Sequence, residues 1–221
     1  MFHVEQLRGW VEILRQGARD LGVTLSEAQV SDFVTYFREL TAWNKKINLT
    51  AMTDDKEIVV KHFLDSLACS RAFPSPLGAS LLDIGSGAGL PGLPVKILLP
   101  DLRVTLLEPS LKKTAFLRHL IGTLHLKDAE VISKRLQDFA RDPNVRGRFS
   151  YVITRALSLA EILPFVRPVL ARKGRVILCR TKPLEAQVAL CGLHRMEELS
   201  YVLPYGYGKR VLSILTAEAH I

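Results

Sequence analysis

Apolar positions recur along the chain at two different periods, and the change from one to the other divides it. Over residues 1–23, Val4, Leu7, Val11, Leu14, Ala18 and Leu21 fall at helical spacing. Thr24-Leu25-Ser26-Glu27 reads as a capped helix start, and Val30, Phe33, Phe37 and Leu40 line a second helix ending near Trp43-Asn44-Lys45-Lys46. Ile47-Asn48-Leu49-Thr50 reads as a turn, and Asp54-Asp55 opens a third helix that runs to about Ser70. The breaker Pro74-Ser75-Pro76-Leu77-Gly78 then separates a helical extension, residues 1–75, from the rest of the chain, residues 76–221.

Beyond residue 79 short apolar runs alternate with helical patterns. Strands are predicted at 80–83, 103–108, 129–132, 150–154, 174–179, 197–203 and 209–215, and helices at about 91–99, 110–122, 136–140, 157–168 and 183–191. Alternation of this kind predicts an α/β fold with a mostly parallel sheet covered on both faces. Pro204-Tyr205-Gly206-Tyr207-Gly208, between the last two runs, predicts an antiparallel closing hairpin.

Candidate chemistry concentrates at the first strand. Leu81-Leu82-Asp83-Ile84 leads into Gly85, Gly87, Gly89 and Gly92, with Pro91 placed for a first helical turn. Glycine belongs where the backbone takes positive φ or must come close to a ligand, and open α/β sheets bind ligands at the carboxyl ends of their strands. Gly87-Ala88-Gly89-Leu90-Pro91-Gly92 matches the G-x-G-x-x-G of dinucleotide-binding proteins. Asp83-x-Gly85-x-Gly87-x-Gly89 instead resembles motif I of class I S-adenosylmethionine-dependent methyltransferases, where a carboxylate sits near the cationic end of the cofactor. Both readings require a second acidic residue for ribose hydroxyls, and Glu108, nineteen residues past Gly89 at the end of the next strand, supplies it. Asp83 favours the methyltransferase, because a carboxylate repels a pyrophosphate.

Composition narrows the partner more than the fold. With 221 residues, 48% hydrophobic and 24% charged, the chain reads as a soluble globular protein. No apolar run approaches a membrane span, and Met1-Phe2-His3-Val4-Glu5 lacks the layout of a signal peptide. Cys69, Cys179 and Cys191 are scattered and odd in number, which argues for a reducing cytoplasm and against a zinc site. The net charge of +8 fits an anionic partner.

Three blocks then carry a specific resemblance. Trp43-Asn44-Lys45-Lys46-Ile47-Asn48-Leu49-Thr50 is followed by Lys61-His62-Phe63-Leu64-Asp65-Ser66-Leu67. The glycine phrase extends through Leu93-Pro94, and Ser110-Leu111-Lys112-Lys113-Thr114-Ala115-Phe116-Leu117 has Thr154-Arg155-Ala156 downstream. Together these blocks resemble the RsmG (GidB) family, bacterial methyltransferases of guanine N7 in 16S ribosomal RNA. The resemblance implies a class I methyltransferase fold, Rossmann-like and seven-stranded, with S-adenosylmethionine as cofactor and 16S RNA or the 30S subunit as partner. It also implies that Gly85 and Leu90 contact the cofactor, that Glu108 binds its ribose, and that Leu136 and Gln137 lie against its adenine. Arg155 would face cofactor and substrate. Gln137 departs from the carboxylate common in the family, so a backbone contact is expected there.

The chemistry agrees on independent grounds. Guanine N7 carries a free lone pair and demands no strong base, so alignment is the main task. Thr154-Arg155-Ala156-Leu157 stands where amino-methylating relatives of this fold carry an Asn/Asp-Pro-Pro-aromatic phrase. Cys179, inside Val176-Ile177-Leu178-Cys179, reads as a core cysteine rather than the nucleophile that pyrimidine C5 methylation needs. Arg155 suits guanine O6 or a cofactor carboxylate, with pairing to Asp83 or Glu108 as the bland alternative. Lys112, Lys113, Lys209 and Arg210 are candidate RNA contacts, and Arg180 and Lys182 join the basic set. His62 and Asp65 share a helix face and either tie the extension down or meet RNA. Tyr205 and Tyr207 either stack on bases or pack the hairpin. The competing functions are an NAD-dependent oxidoreductase and a non-catalytic RNA-binding or ribosome-assembly protein. A monomer without bound metal is the default.

Overall fold

The computed structural model describes residues 4–155 and 157–218, with side chains from residue 9 onward. Val4 and Leu7 of the first predicted helix face, and Ala156 of the third motif block, lie outside the described side chains. Helices α1 (Val4–Asp20) and α2 (Glu27–Ile47) form the start of the extension. Ser26 caps α2 in a reciprocal capping box with Gln29, and Asn48 ends it at φ 50°, so the turn chemistry follows from those two residues.

The predicted third helix is one helical run over 55–72 with a change of pitch inside it. It starts as α3 (Asp55–Ile58), widens into a π segment (Val59–Leu64), returns as α4 (Asp65–Ala68) and tightens to a 3₁₀ turn (Cys69–Ala72).

The strands are β1 (Ser80–Ile84), β2 (Arg103–Leu107), β3 (Ala129–Ile132), β4 (Phe149–Arg155), β5 (Leu170–Arg180), β6 (His194–Val202) and β7 (Lys209–Thr216). They form one seven-stranded sheet in the order β3-β2-β1-β4-β5-β7-β6. The first five run parallel, while β7 is antiparallel to both β5 and β6. The order reverses beside β1, the crevice where open sheets of this kind bind ligands. The connecting helices are α5 (Gly92–Leu98), α6 (Leu111–Thr123), α7 (Leu136–Phe139) and α8 (Leu159–Val169).

Strand pleating sends alternate residues to opposite faces. Leu81, Tyr151, Ile153 and Ile177 join Trp10, Phe33, Tyr36 and Phe63 of the extension in one apolar cluster. Leu82, Ile84, Val152 and Leu178 join Leu163 and Val166 of α8 in the other. The extension therefore shares its core with the sheet. Tyr205 and Tyr207 pack on it as well: the Tyr205 hydroxyl donates to the Ile13 carbonyl at 3.1 Å, and the Lys61 ammonium lies 5.3 Å from the Tyr207 ring centre. No described helix is long and apolar enough to cross a membrane.

Three expectations are corrected. Residues 183–191 form turns and irregular backbone instead of a helix, and β6 begins at His194 rather than 197. The Leu184 amide donates to Glu198 Oε1 at 2.8 Å, and Arg195 takes the carbonyls of Leu184 and Glu185. Side chains of β6 thus satisfy the backbone groups a helix would have paired internally, and Cys191 and Gly192 both stand at positive φ. Cys179 is not a fully buried core cysteine either, although it packs against the first core. It is half-buried on a cleft wall, its Sγ 3.5 Å from Cys69 Sγ.

Candidate active site

Asp83, fully buried, is the last residue but one of β1, and beyond Ile84 the chain turns at once through Gly85, Gly87 and Gly89 at φ 71°, 56° and 90°. The turn is closed by its own backbone. The Gly85 amide donates to the Leu107 carbonyl of β2 at 2.8 Å, and the Gly89 and Leu90 amides donate to the Ser86 carbonyl at 2.7 and 2.9 Å. Helix α2 braces the loop from the extension: the Tyr36 hydroxyl donates to the Ala88 carbonyl at 2.5 Å, and the Gln29 amide group donates to the last carbonyls of α5.

Packing sets Gly85, Gly89 and Gly92, whereas Gly87 faces open space. A Cβ at Gly92 would stand 2.6 Å from Asp83 Oδ2, whose partner is the Gly92 amide at 2.9 Å. At Gly87 the nearest atom to such a Cβ is a backbone oxygen 3.8 Å away, so the turn stays approachable there.

Glu108, directly after β2, points back at this turn. Its Oε2 accepts the Gly87 amide at 3.0 Å and its Oε1 the Ser110 amide at 2.9 Å. A carboxylate offers about four lone-pair sites, so acceptor capacity remains for two hydroxyl groups. Asp83 differs: among the described residues its Oδ1 has no hydrogen-bond partner although it is buried. Burial pushes its carboxyl up to about 7, against the lowering effects of the Gly92 amide and the positive Arg155. An orphaned acidic oxygen beside an approachable glycine turn, with a hydroxyl acceptor 21 residues on from Gly87, fits a cationic ribonucleoside such as S-adenosylmethionine. It does not fit a pyrophosphate.

Leu136 is buried with Ile84 in the second core, and Gln137 beside it is half-buried. Leu90 is buried in the first core. Leu157 lies over Gly85, its Cδ1 2.6 Å from where a Cβ would be, and also lines a cleft of about 530 Å³ at the carboxyl ends of β4 and β5. This cleft is therefore next to the glycine turn. Arg155, Arg180, Lys182 and Arg210 line it, with Asp65 reaching in from α4.

Arg155 pairs with neither Asp83 nor Glu108 directly. Its Nη1 donates to the Lys61 carbonyl at 3.0 Å and lies 3.5 Å from Asp65 Oδ2, and its Nη2 is 3.4 Å from His62 Nδ1. Lys112 is exposed and Lys113 half-buried in the first turn of α6, just beyond Ser110. Lys209 is exposed, while Arg210 turns inward, its Nε 3.8 Å from Asp65 Oδ1. Sequence reasoning missed Tyr201, whose hydroxyl donates to Asp65 Oδ1 at 2.7 Å; no local motif marks it. Among the described residues no cluster of three or more His, Cys, Asp or Glu is placed to hold a metal ion.

The comparisons with known proteins agree with this geometry. The family model described as GidB, rRNA small subunit methyltransferase G, matches residues 29–202. A protein named ribosomal RNA small subunit methyltransferase G from Roseiflexus sp. (strain RS-1) is 43% identical over 180 residues, covering 81% of this chain and 76% of its own. Its namesake from Pelotomaculum thermopropionicum is 37% identical over 212 residues, covering 92% and 89%. Among solved structures, a SAM-dependent methyltransferase from Aquifex aeolicus superposes with a TM-score of 0.56 at 12% identity, over 76% of this chain and 96% of that one. TYW2 from M. jannaschii, solved with AdoMet, gives 0.51 at 14% identity, over 66% and 71%. The structural likenesses establish the class I methyltransferase fold.

Proposed function

The chain belongs to the rRNA small subunit methyltransferase G family, and on that premise we propose that it transfers a methyl group from S-adenosylmethionine to N7 of a guanine in 16S ribosomal RNA. The observation that carries this reading is the juxtaposition of two sites at the sheet's switch point. One is the Asp83–glycine turn–Glu108 cradle, and the other is the adjoining basic cleft around Arg155.

Bound in the cradle, the cofactor supplies an electrophilic methyl group on a sulfonium. Asp83 holds its cationic end, the Gly85–Gly89 backbone lets it approach, and Glu108 accepts its ribose hydroxyls. Leu136 and Gln137 border the adenine end, and Leu90 supports the turn from the core. The acceptor base enters the cleft over Leu157, where Arg155 directs N–H groups at an oxygen such as guanine O6. Arg180, Lys182 and Arg210 meet the flanking phosphates, and Lys112, Lys113 and Lys209 extend that contact outside the cleft.

No proton has to be removed from N7, and the cleft matches that economy. His62 is held down to about 4, by burial first and by the positive Arg155 second. It is neutral at pH 7, and both its ring nitrogens already face partners, Thr50 Oγ1 at 2.8 Å and Arg155. The reading carries with it a monomer working in the cytoplasm on 16S RNA or the 30S subunit. The scatter of single exposed apolar side chains, Leu77, Leu111 and Val202, supports the monomer.

Labelled S-adenosylmethionine and 30S subunits from cells lacking this protein test the proposal. The expected product is one labelled guanine whose N7-methyl base is lost under depurinating conditions, giving chain cleavage at that site. Label stable to that treatment, as on a pyrimidine C5 or an exocyclic amine, would refute the N7 assignment. Label on no RNA, with S-adenosylhomocysteine still bound, would favour the non-catalytic assembly protein.

A further inference from the structure

Two guanidinium groups of the cleft converge on one carboxylate that comes from outside the sheet. Asp65 is 8% exposed. Its Oδ2 faces Arg155 Nη1 at 3.5 Å, and its Oδ1 accepts the Tyr201 hydroxyl at 2.7 Å while Arg210 Nε stands 3.8 Å away. One helical turn earlier, the Lys61 carbonyl and His62 Nδ1 take further N–H groups of the same Arg155. A neutral His62 that offers its Nδ1 lone pair to Arg155 carries its proton on Nε2 and donates it to Thr50 Oγ1, which also accepts the Met52 amide at 3.1 Å. The chain from the 50–52 turn to the arginine is thus closed at every link.

Three features separate this arrangement from an ordinary tie. A buried ion pair is a weak source of stability, because desolvation offsets its attraction. Two cations on one carboxylate leave a positive excess facing the cleft, which suits an acceptor base flanked by anionic phosphates. Finally, Lys61 and His62 lie inside the π segment and Asp65 follows it directly; such widened turns re-aim side chains and recur at functional sites.

We propose that Asp65 is the positioning residue for Arg155, fixing it toward the methyl acceptor, with Arg210, His62 and Tyr201 as its braces. The inference rests on the role given to Arg155 above. Its signature is a loss in turnover that needs Arg155 to be present, since Asp65 acts through that arginine.

The test is a double-mutant cycle on methyl transfer to 30S subunits, using wild type, Asp65→Asn, Arg155→Ala and the pair. Asn keeps the shape and an acceptor for Tyr201 but removes the charge. The expected result for Asp65→Asn is a kcat lowered by roughly tenfold to a hundredfold, as for a misaligned catalytic group, with KM for S-adenosylmethionine changed by less than about threefold. In the Arg155→Ala background the same change should cost less than about twofold. Equal losses in both backgrounds would overturn the inference while leaving the role of Arg155 standing. Near-normal turnover of Arg155→Ala would overturn both. Tyr201→Phe, which removes a single hydroxyl, guards against a misfolded Asp65 variant. It should lower kcat by about threefold to tenfold through the same arginine, and unchanged turnover would count against the proposal.

Discussion

At the scale of single residues the decisive group is Asp83, a carboxylate with one oxygen on the Gly92 amide and the other without a partner among the described residues. Its carboxyl is raised from 3.8 to about 7 by burial, and the sign of the consequence follows. Below about pH 4 both folded and unfolded chains hold the proton, and the group contributes nothing. Between about 4 and 7 the unfolded chain releases it and the folded chain does not, so stability falls as pH rises through this window and stays lower above it. The ceiling on the effect is about 4 kcal/mol. Asp83→Asn removes this slope. In urea denaturation of the ligand-free protein, the variant should gain on wild type between pH 5 and pH 8, and at pH 8 it should bind S-adenosylmethionine more weakly. Parallel pH curves for the two proteins would show that Asp83 ionises normally in its site.

At the scale of elements, strands and helices differed in how plainly they could be read. The central parallel strands β1, β2 and β4 are buried on both faces, and each apolar run was visible by itself. The glycine turn announced itself through residue types that nothing but backbone geometry requires. The region at 183–191 has helical periodicity yet no helix, because its hydrogen-bond partners, Glu198 and Arg195, arrive from the next strand. The π segment is silent for a related reason: its extra residue per turn is stabilised by tertiary contacts that no local pattern records. His62 and Asp65 could be placed on one helix face, but the Arg155, Arg210 and Tyr201 around them come from three different strands. The element at 183–193 also yields a prediction. Arg195→Ala leaves the carbonyls of Leu184 and Glu185 without that partner, so hydrogen exchange should accelerate through this segment. The core strands should keep their protection, and the overall stability cost should be about 1 kcal/mol. Uniform acceleration across the sheet would show that Arg195 supports the whole fold instead.

For the molecule as a whole, the question is whether the boundary near residue 75 is physical. One apolar cluster includes Trp10 and Phe33 from the extension and Leu81, Ile153 and Ile177 from the sheet, so both parts should melt together. The chain offers a direct test, because both its tryptophans, Trp10 and Trp43, belong to the extension. Thermal unfolding followed by tryptophan emission, which reports the helices, should coincide with unfolding followed by circular dichroism, to which the sheet and the later helices contribute. S-adenosylhomocysteine should raise both midpoints equally. An early fluorescence transition would instead make the extension a separately folding unit.

The clasp of α2 on the glycine turn, through Tyr36 at the Ala88 carbonyl and Gln29 at the end of α5, bears on how such a protein can change over generations. Nucleotide-binding cores of this kind are often treated as cassettes to which recognition elements are appended. Here the appended helix supplies a strut of the cassette itself. A transplant that exchanged residues 1–75 for those of a distant relative would alter the acceptor preference only by also disturbing the cofactor cradle. The two parts are therefore expected to diverge as a matched pair, and successful hybrids should be those that carry Tyr36 and its carbonyl partner across together.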